Sequence, residues 1–486
     1  MNKIKVDCES FSAKSKKPNW TNMCSLFKEI MYNSFSQAII NLIQSQIKMQ
    51  KLFLACCILG SSCFASYLVF ESISDYFEYE VITTTRSIFE VPTQFPKIKI
   101  CNVNPFATKY SFDFLKNIEK ELNPFNASLL ENPNIDSHQK IDLINRIKAL
   151  ALKKMNSESF SEDRQKLGHT IEEILFSCTF NFEECDSKDF VWKFDNIYGN
   201  CFEFNSTSNK VFYPGRLGGL KLSLYVNIYE NLKFFTNEIG GIVRIENGSY
   251  LTDYYGGVKI AGGFQTDIVV DRFFKKSIKK PYSNCELNAD ESPDFFGNNI
   301  QRLIAEQNYR YSQSLCLSQT FQKNSINKCN CSYPYVLSLH DYEECTSMEQ
   351  LNCSISVLLN YNNLENDTDN YCPLECDLIE FKIYISMLQL IGERFVNNIN
   401  EKKNLTIDFL GKPITSDMAR QSTSEIYVYY ESLSYTQNTE SPKIPIELLI
   451  ASIGGNLSLI LGISLFSIFE VIILMFEIYF IKKSRN

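Results

Sequence analysis

Histidine is scarce in this chain, with three among 486 residues. Few imidazoles leave little material for a histidine-built metal centre. A basic excess is also missing. Lysine and arginine number 48 against 56 acidic residues, a formal net charge of −8, which argues against a nucleic-acid binder. There is no phosphate-binding loop, no zinc-helix motif and no paired nucleophile and base. Gly462-Ile463-Ser464-Leu465-Phe466 matches only the first half of a nucleophile elbow; the second glycine is absent and the site lies in an apolar run. These gaps point away from an enzyme and imply no cofactor and no metal. Repeats and low-complexity linkers are missing too, which excludes a string of modules.

What is present is apolar in two places. Leu52 to Phe70, LFLACCILGSSCFASYLVF, carries no charge and is bracketed by Lys51 and Glu71. A helix needs about 20 apolar residues to span a bilayer. The run is a poor signal peptide, because some fifty polar residues precede it and no clean cleavage site follows. A second run lies between Glu447 and Lys482, broken only by Glu470 and Glu477. Lysines crowd the N-terminal segment and the tail reads KKSRN. Basic flanks favour the cytoplasm. The expected plan is a cytoplasmic segment 1–51, a first transmembrane helix 52–74, an extracellular domain 75–446, a second transmembrane helix 447–480 and a cytoplasmic tail 481–486.

Sequons agree with that plan. Asn126, Asn205, Asn247, Asn330, Asn352, Asn366 and Asn404 all fall in the middle region. Another, Asn456, falls within the second span and should be unused. Of 17 cysteines, twelve lie in the middle region: Cys101, Cys178, Cys185, Cys201, Cys285, Cys316, Cys329, Cys331, Cys345, Cys353, Cys372 and Cys376. An even set in an oxidising compartment reads as six disulfides. A zinc reading of Cys329-x-Cys331 or Cys372-x3-Cys376 competes, and the shortage of histidine weighs against it. Cys8, Cys24, Cys56, Cys57 and Cys63 read as packing or free thiols.

The middle region mixes periodicities. Ile98–Cys101, Lys221–Ile228 and Glu425–Tyr430 read as strands. Asp113–Leu122, Gln139–Lys154, Thr170–Phe176 and Asn298–Tyr311 read as helices. Phe125–His138 reads as a surface loop, and KKSIKK, Lys275–Lys280, as a solvated face. The fold class is α+β: two transmembrane helices with a large disulfide-rich extracellular domain.

The opening of the second run asks for an explanation. GGNLSLILGISLFSIFE, Gly454 to Glu470, is rich in residues that lipid disfavours. From these residues alone a pore lining and a small-residue packing face stand even.

Several stretches occur together in order: FPKIKICNVNPF (95–106), LGHTIEEILFSCTFNFEEC (167–185), YGNCFEFNS (198–206), PYSNC (281–285), YCPLECDLIEF (371–381), YYESLSY (429–435) and the pore-like segment. In that order they closely resemble the degenerin/epithelial sodium channel superfamily, over roughly Phe35 to Glu470. The resemblance implies a trimeric channel of identical or related subunits in the plasma membrane, passing sodium and blocked by amiloride. It implies the pairs Cys101–Cys201, Cys178–Cys185, Cys285–Cys376, Cys316–Cys372, Cys329–Cys353 and Cys331–Cys345. A further bridge of the acid-sensing branch maps to Thr320 and Asn370, so both of its cysteines are gone together. The four bridges from Cys285 onward would form a stiff column suited to transmitting force.

In the resemblance Gly462, Ile463 and Ser464 are the selectivity filter. Ala451, Ser452, Gly455, Asn456 and Glu470 line the pore. Glu470 would form a ring of carboxylates that attracts cations. Glu477 is either a second ring or a side chain reaching the cytoplasm. Tyr76 and Tyr282 match an aromatic contact that couples ectodomain to pore.

Three departures matter. A gating His-Gly pair is replaced by Gln37-Ala38. Ser452 stands where an aspartate is common, which removes an outer acidic ring. Ala451 keeps the small residue of a channel that can close. After the first span the chain reads DYFEYEV, without the histidines of acid-sensing members. The resemblance therefore points to the neuropeptide-gated sodium channels of invertebrates such as Hydra, with an extracellular peptide ligand. Proton or mechanical gating is the alternative within the superfamily. An ATP-gated trimeric channel shares the topology but not the cysteine-flanked motifs. A non-conducting two-pass receptor would not need Gly-x-Ser followed by a buried glutamate.

Overall fold

The structure is a computed structural model. It describes residues 47–122, 137–156, 160–195, 197–205, 210–226, 238, 240–246, 256–285, 299–307, 309, 311–345, 347–359, 372–390 and 421–464, with 466, 469, 472–473, 475–476 and 479–480 beyond. In chain order the elements begin with α1 (Lys48–Phe77), β1 (Val81–Phe89), β2 (Thr93–Gln94) and β3 (Lys97–Asn102). Helices α2 (Lys109–Leu122), α3 (Ser137–Asn156) and the single turn α4 (Ile171–Ile174) follow. Next come β4 (Leu175–Phe180), β5 (Glu183–Cys185), β6 (Phe190–Asp195), β7 (Gly199–Phe204) and β8 (Lys210–Val211). Then come β9 (Leu220–Tyr225), β10 (Gly241–Glu246), β11 (Val258–Ile260) and β12 (Phe264–Lys276). The last are α5 (Asn299–Glu306), α6 (Gln313–Cys329), α7 (Met348–Leu359), β13 (Asp377–Gln389), β14 (Thr423–Pro442) and α8 (Ile446–Leu461).

The chain forms two units. One comprises residues up to Ile82 and from Pro442 onward; the other is Thr83–Ser441. In the first, α1 is long and apolar enough to cross a membrane. Only Ala65 of its residues is buried, while Leu52, Phe53, Leu59 and Phe70 are more than half exposed. In water such a surface would be unfavourable; in lipid it needs no cover. The sixteen-residue α8 is about 24 Å long, short of the roughly 30 Å hydrocarbon core. Within the expected span 447–480, α8 stops at Leu461 and residues 462–464 are non-helical, with helical backbone described again at 466.

In the second unit two sheets face one core. A seven-stranded sheet runs β13-β12-β14-β9-β4-β5, with β1 pairing β14. A five-stranded sheet runs β11-β10-β3-β7-β6. Alternation in KIKICN buries Ile98 and Ile100. These pack with Phe202, Phe204, Leu220, Leu222, Ile268, Ile426 and Val428. Period-2 patterning of this kind aims one face of each strand at the interior. Helices α2 and α3 make a separate cluster with Leu115, Ile118, Ile147 and Met155. Residues of α5 and α6, Ile300, Ile304, Leu315 and Cys316, make a third.

Several sequence expectations change. Thr170–Phe176 is not one helix. Thr170 and Glu173 form a reciprocal cap around one turn, and from Leu175 the chain becomes β4, paired with β9 and β5. Strand pairing and the Cys178–Cys185 bridge outweigh the local helical pattern, because a short helix has little propensity to lose. Residues 137–138 of the expected loop open α3, and the rest of that loop lies outside the described residues. Strand β14 extends far beyond Tyr430, to Pro442. In KKSIKK Lys276, Lys279 and Lys280 are exposed, as a solvated face requires, while the backbone of Lys275 and Lys276 pairs within the sheet and Ser277 N–H donates to Cys376 O at 2.7 Å.

Buried charges are paired. Asp195 accepts from Arg244 Nη1 at 2.9 Å and lies 3.4 Å from Lys99 Nζ. It also accepts the N–H groups of Ile197 and Tyr198. Burial alone would raise its carboxyl. The charges of Arg244 and Lys99 and those N–H donors prevail and hold its pKa below the usual carboxylate value.

Candidate functional site

The break in the second apolar run has a local cause. Gly462 takes φ +68, the left-handed region, and caps α8. Its N–H donates to Ser458 O at 3.0 Å, and Ile463 N–H reaches Leu457 O at 3.4 Å. A side chain at that φ would be strained by about 1–2 kcal/mol, so glycine is the residue that ends the helix here. Ile463 and Ser464 continue without helical structure, half-buried and exposed respectively. A Cβ built on Gly462 would meet nothing within 4 Å, so the backbone, not crowding, requires this glycine.

The glycines about two turns earlier differ. Gly454 and Gly455 are helical, and a Cβ on either would also meet nothing within 4 Å. Glycine in a helix interior costs about 1 kcal/mol relative to alanine. Among the described residues nothing offsets that. Ala451 and Gly455 stack four residues apart and are exposed; Ser452 and Asn456 stack likewise and are half-buried. Small and polar side chains thus follow one another down α8 toward Gly462. Leu449, on α8, and Ala65, on α1, are the buried residues of these helices.

Both helices are tied together at one end. Lys443 N–H donates to Glu80 O at 2.9 Å, and the Lys443 ammonium pairs with the Glu80 carboxylate. The side-chain hydrogen bond from the ammonium to the Glu80 carboxylate raises the pKa of the lysine. At the same end of α1, Tyr76 packs edge-on to Phe77 with ring centroids 5.4 Å apart, and against Tyr79 at 6.1 Å. Tyr282 belongs to the other unit, half-buried, with its N–H on Lys279 O at 3.3 Å. Gln37, Ala38, Glu470 and Glu477 lie outside the described residues, as do Asn126, Asn247, Asn366 and Asn404. Asn205, Asn330 and Asn352 are exposed.

Six disulfides join Cys101–Cys201, Cys178–Cys185, Cys285–Cys376, Cys316–Cys372, Cys329–Cys353 and Cys331–Cys345. These are the six pairs the resemblance implies. Among the described residues no cluster could hold a metal ion. Thr320 is 1 % exposed; its hydroxyl donates to Cys316 O at 2.9 Å and lies 3.6 Å from Cys372 Sγ. A small hydroxyl fills the turn beside the Cys316–Cys372 bridge. Asn370 lies outside the described residues.

Arg272 escaped the sequence reading. It sits on β12, where the register against β14 slips: Val270 pairs Tyr430, but Arg272 pairs Tyr435. Its guanidinium is nearly fully buried and pairs with Glu90. It lies 5.2 Å from the ring centroids of both Tyr430 and Tyr435. It therefore joins the end of β1 to the looped-out residues of β14. An arginine inside the apolar alternation of VVDRFF was the available signal.

The described residues thus form a disulfide-braced α+β unit and two apolar helices, one long enough to cross a membrane and the other ended by a left-handed glycine. The sequence model of the amiloride-sensitive sodium channel family matches residues 31–474, and the chain belongs to that family. It is 22 % identical to the epithelial sodium channel subunit gamma of Xenopus laevis over 335 residues, 66 % of this chain and 48 % of that protein. Against the human gamma subunit the figures are 24 % over 335 residues, 66 % and 48 %. Against the rat alpha subunit they are 23 % over 339 residues, 67 % and 45 %. The chain spans about half the length of these relatives. A solved proton-activated chloride channel aligns over 88 % of this chain and 98 % of its own, at 8 % identity and a TM-score of 0.31.

Proposed function

We propose that this chain is a subunit of a sodium-conducting, amiloride-sensitive cation channel of the plasma membrane. Three such subunits, identical or related, surround a pore lined by the second apolar run. The observation that carries the reading is Gly462: a helix of membrane character ends there in a left-handed residue, followed by two non-helical residues. Irregular backbone at membrane depth is tolerated only where it lines a water-filled cavity or is buried in protein. Glycines that no contact among the described residues requires, at 454 and 455, support close approach of another subunit.

In this reading Gly462-Ile463-Ser464 is the selectivity filter, Ala451, Ser452, Gly455 and Asn456 line the outer pore, and Glu470 forms the inner carboxylate ring. Both termini are cytoplasmic. Residues 75–446 lie outside, where an oxidising compartment suits six disulfides and sequons can accept glycans. An extracellular peptide opens the channel, and Tyr76 and Tyr282 carry that signal toward the pore. Gln37 and Ala38 replace the usual gating pair, which favours assembly with related subunits.

Voltage clamp of cells expressing the chain, alone and with related subunits, tests this. Amidated peptides ending in Arg-Phe are perfused first, then acid. The expected result is an inward cation current that amiloride blocks and Gly462→Trp abolishes. Surface expression without current under every combination would overturn the channel reading.

A further inference from the structure

Two sequons are threaded through a disulfide knot. In Asn330-Cys331-Ser332 and Asn352-Cys353-Ser354 the central residue is a half-cystine. Cys353 pairs with Cys329, the neighbour of Asn330, while Cys331 pairs with Cys345. The Ser354 hydroxyl lies 3.2 Å from Cys345 Sγ. The hydroxyl of one sequon thus rests on the bridge that runs through the other.

Both sequon hydroxyls are withdrawn from solvent. Ser332 is 1 % exposed and Ser354 is 0 % exposed. Ser332 Oγ donates to Glu343 O at 3.2 Å. Ser354 Oγ shares a hydrogen bond with Ser325 Oγ at 2.7 Å. The asparagines, by contrast, are exposed. The Tyr342 hydroxyl donates to Asn330 Oδ1, not to Nδ2, the atom that would carry a sugar. The folded protein can therefore hold a glycan at either asparagine but does not present either sequon for transfer. Recognition of Asn-x-Ser requires the serine hydroxyl as well as the amide.

We propose that Asn330 and Asn352 accept glycan only while Cys331 and Cys353 are still thiols, so that bridge closure sets how much sugar this region carries. Transfer forms a bond from Asn Nδ2 to the sugar anomeric carbon and breaks the glycosyl–phosphate bond of a lipid-diphosphate oligosaccharide donor. The amide proton leaves, and lipid diphosphate is released. Closure takes two protons and two electrons from each cysteine pair, accepted by a disulfide-exchange oxidant of the same compartment. A glycan added first does not obstruct closure, because both asparagine side chains stay at the surface. The inference rests on the reading that residues 75–446 lie outside the cell.

The test is translation of the full chain with endoplasmic-reticulum microsomes across a glutathione series from reduced to oxidised. Occupancy at each sequon is read by mass spectrometry after enzymatic deglycosylation in heavy-oxygen water. Asn205, exposed and followed by Ser206-Thr207 without cysteine, is the internal control. Occupancy at Asn330 and Asn352 is expected to fall severalfold as conditions become oxidising, while Asn205 stays level. Cys345→Ser, which leaves Cys331 unbridged, should restore Asn330 under oxidising conditions. If Asn330 and Asn352 track Asn205 throughout, the proposal is overturned, whatever the variant does. If no sequon carries sugar under any condition, the extracellular placement falls and takes this inference with it.

Discussion

The guanidinium of Arg272 donates from Nη2 to the carbonyl of Leu433 at 3.0 Å. The same carbonyl accepts the N–H of Glu90 at 3.2 Å. Leu433 lies in the looped-out part of β14, and Glu90 directly follows β1, so one oxygen gathers two strands that continue into the apolar helices. Replacing Arg272 by leucine removes its bond to Leu433, its ion pair with Glu90 and both tyrosine contacts. The expected loss is about 2–4 kcal/mol, read as a lower unfolding temperature of the purified protein. Arg272→Lys should recover little of it, because an ammonium cannot span Glu90 and Leu433 while stacking on two rings. Wild-type stability in the lysine variant would refute the geometry.

Gly455 and Gly462 should respond oppositely to alanine. Gly462→Ala places a Cβ at positive φ and should destabilise the helix end by about 1–2 kcal/mol. Gly455→Ala should strengthen α8 by about 1 kcal/mol yet weaken association between subunits, because no described residue of the chain approaches a Cβ there. Size measurement of detergent-solubilised protein separates the effects. Unchanged assembly in Gly455→Ala would remove the packing argument.

Asp195→Asn leaves Arg244 buried with its countercharge gone. The expected cost is about 3–5 kcal/mol. The native carboxyl titrates below its unfolded value, so its contribution is present above the unfolded pKa, near 4, and is lost as pH falls through the folded pKa. Unfolding temperatures followed from pH 7 downward should converge for wild type and variant in strong acid. Parallel curves would mean that the carboxylate charge is not the stabilising element.

His340 supplies a different acid response. Burial is the main cause lowering its pKa, and the charge of Lys323 acts in the same direction; its Nε2–H donates to Gln319 O at 3.3 Å, which opposes them. Protonation therefore favours the unfolded form. The stabilisation is present above the unfolded pKa, about 6.5, and is lost as pH falls through the lower folded value. Amide protection factors around Ser338–Asp341, that is, exchange rates corrected for the intrinsic rate at each pH, should fall between pH 7 and pH 5, and His340→Gln should abolish that change. Equal protection factors at both pH values would exclude this histidine as an acid-responsive group.

Much of the fold was legible where a single chemical rule decides. An uncharged apolar run predicts α1, alternation predicts β3, and an even set of cysteines in the middle region predicts a disulfide framework. The connectivity came from resemblance rather than spacing, since spacing leaves many pairings open. Thr170–Phe176 was misread because helical periodicity over seven residues competes with strand pairing to β9, which the local sequence does not display. Arg272 was missed because its partners Glu90 and Leu433 lie far away along the chain and meet only through the β12–β14 register slip.

The sequence alone determined the apolar runs, the charge balance, the thiol inventory and the ordered motifs that mark the family. These depend on residue type and near neighbours, and hydrophobicity and periodicity are local properties. Only the tertiary structure decided that Gly462 is left-handed while Gly455 is helical, although both are the same residue in the same apolar run. It alone showed that Ser332 and Ser354 are closed to solvent beside exposed asparagines. Burial and backbone conformation are set by which distant segments pack together, and that information is carried by the whole chain at once.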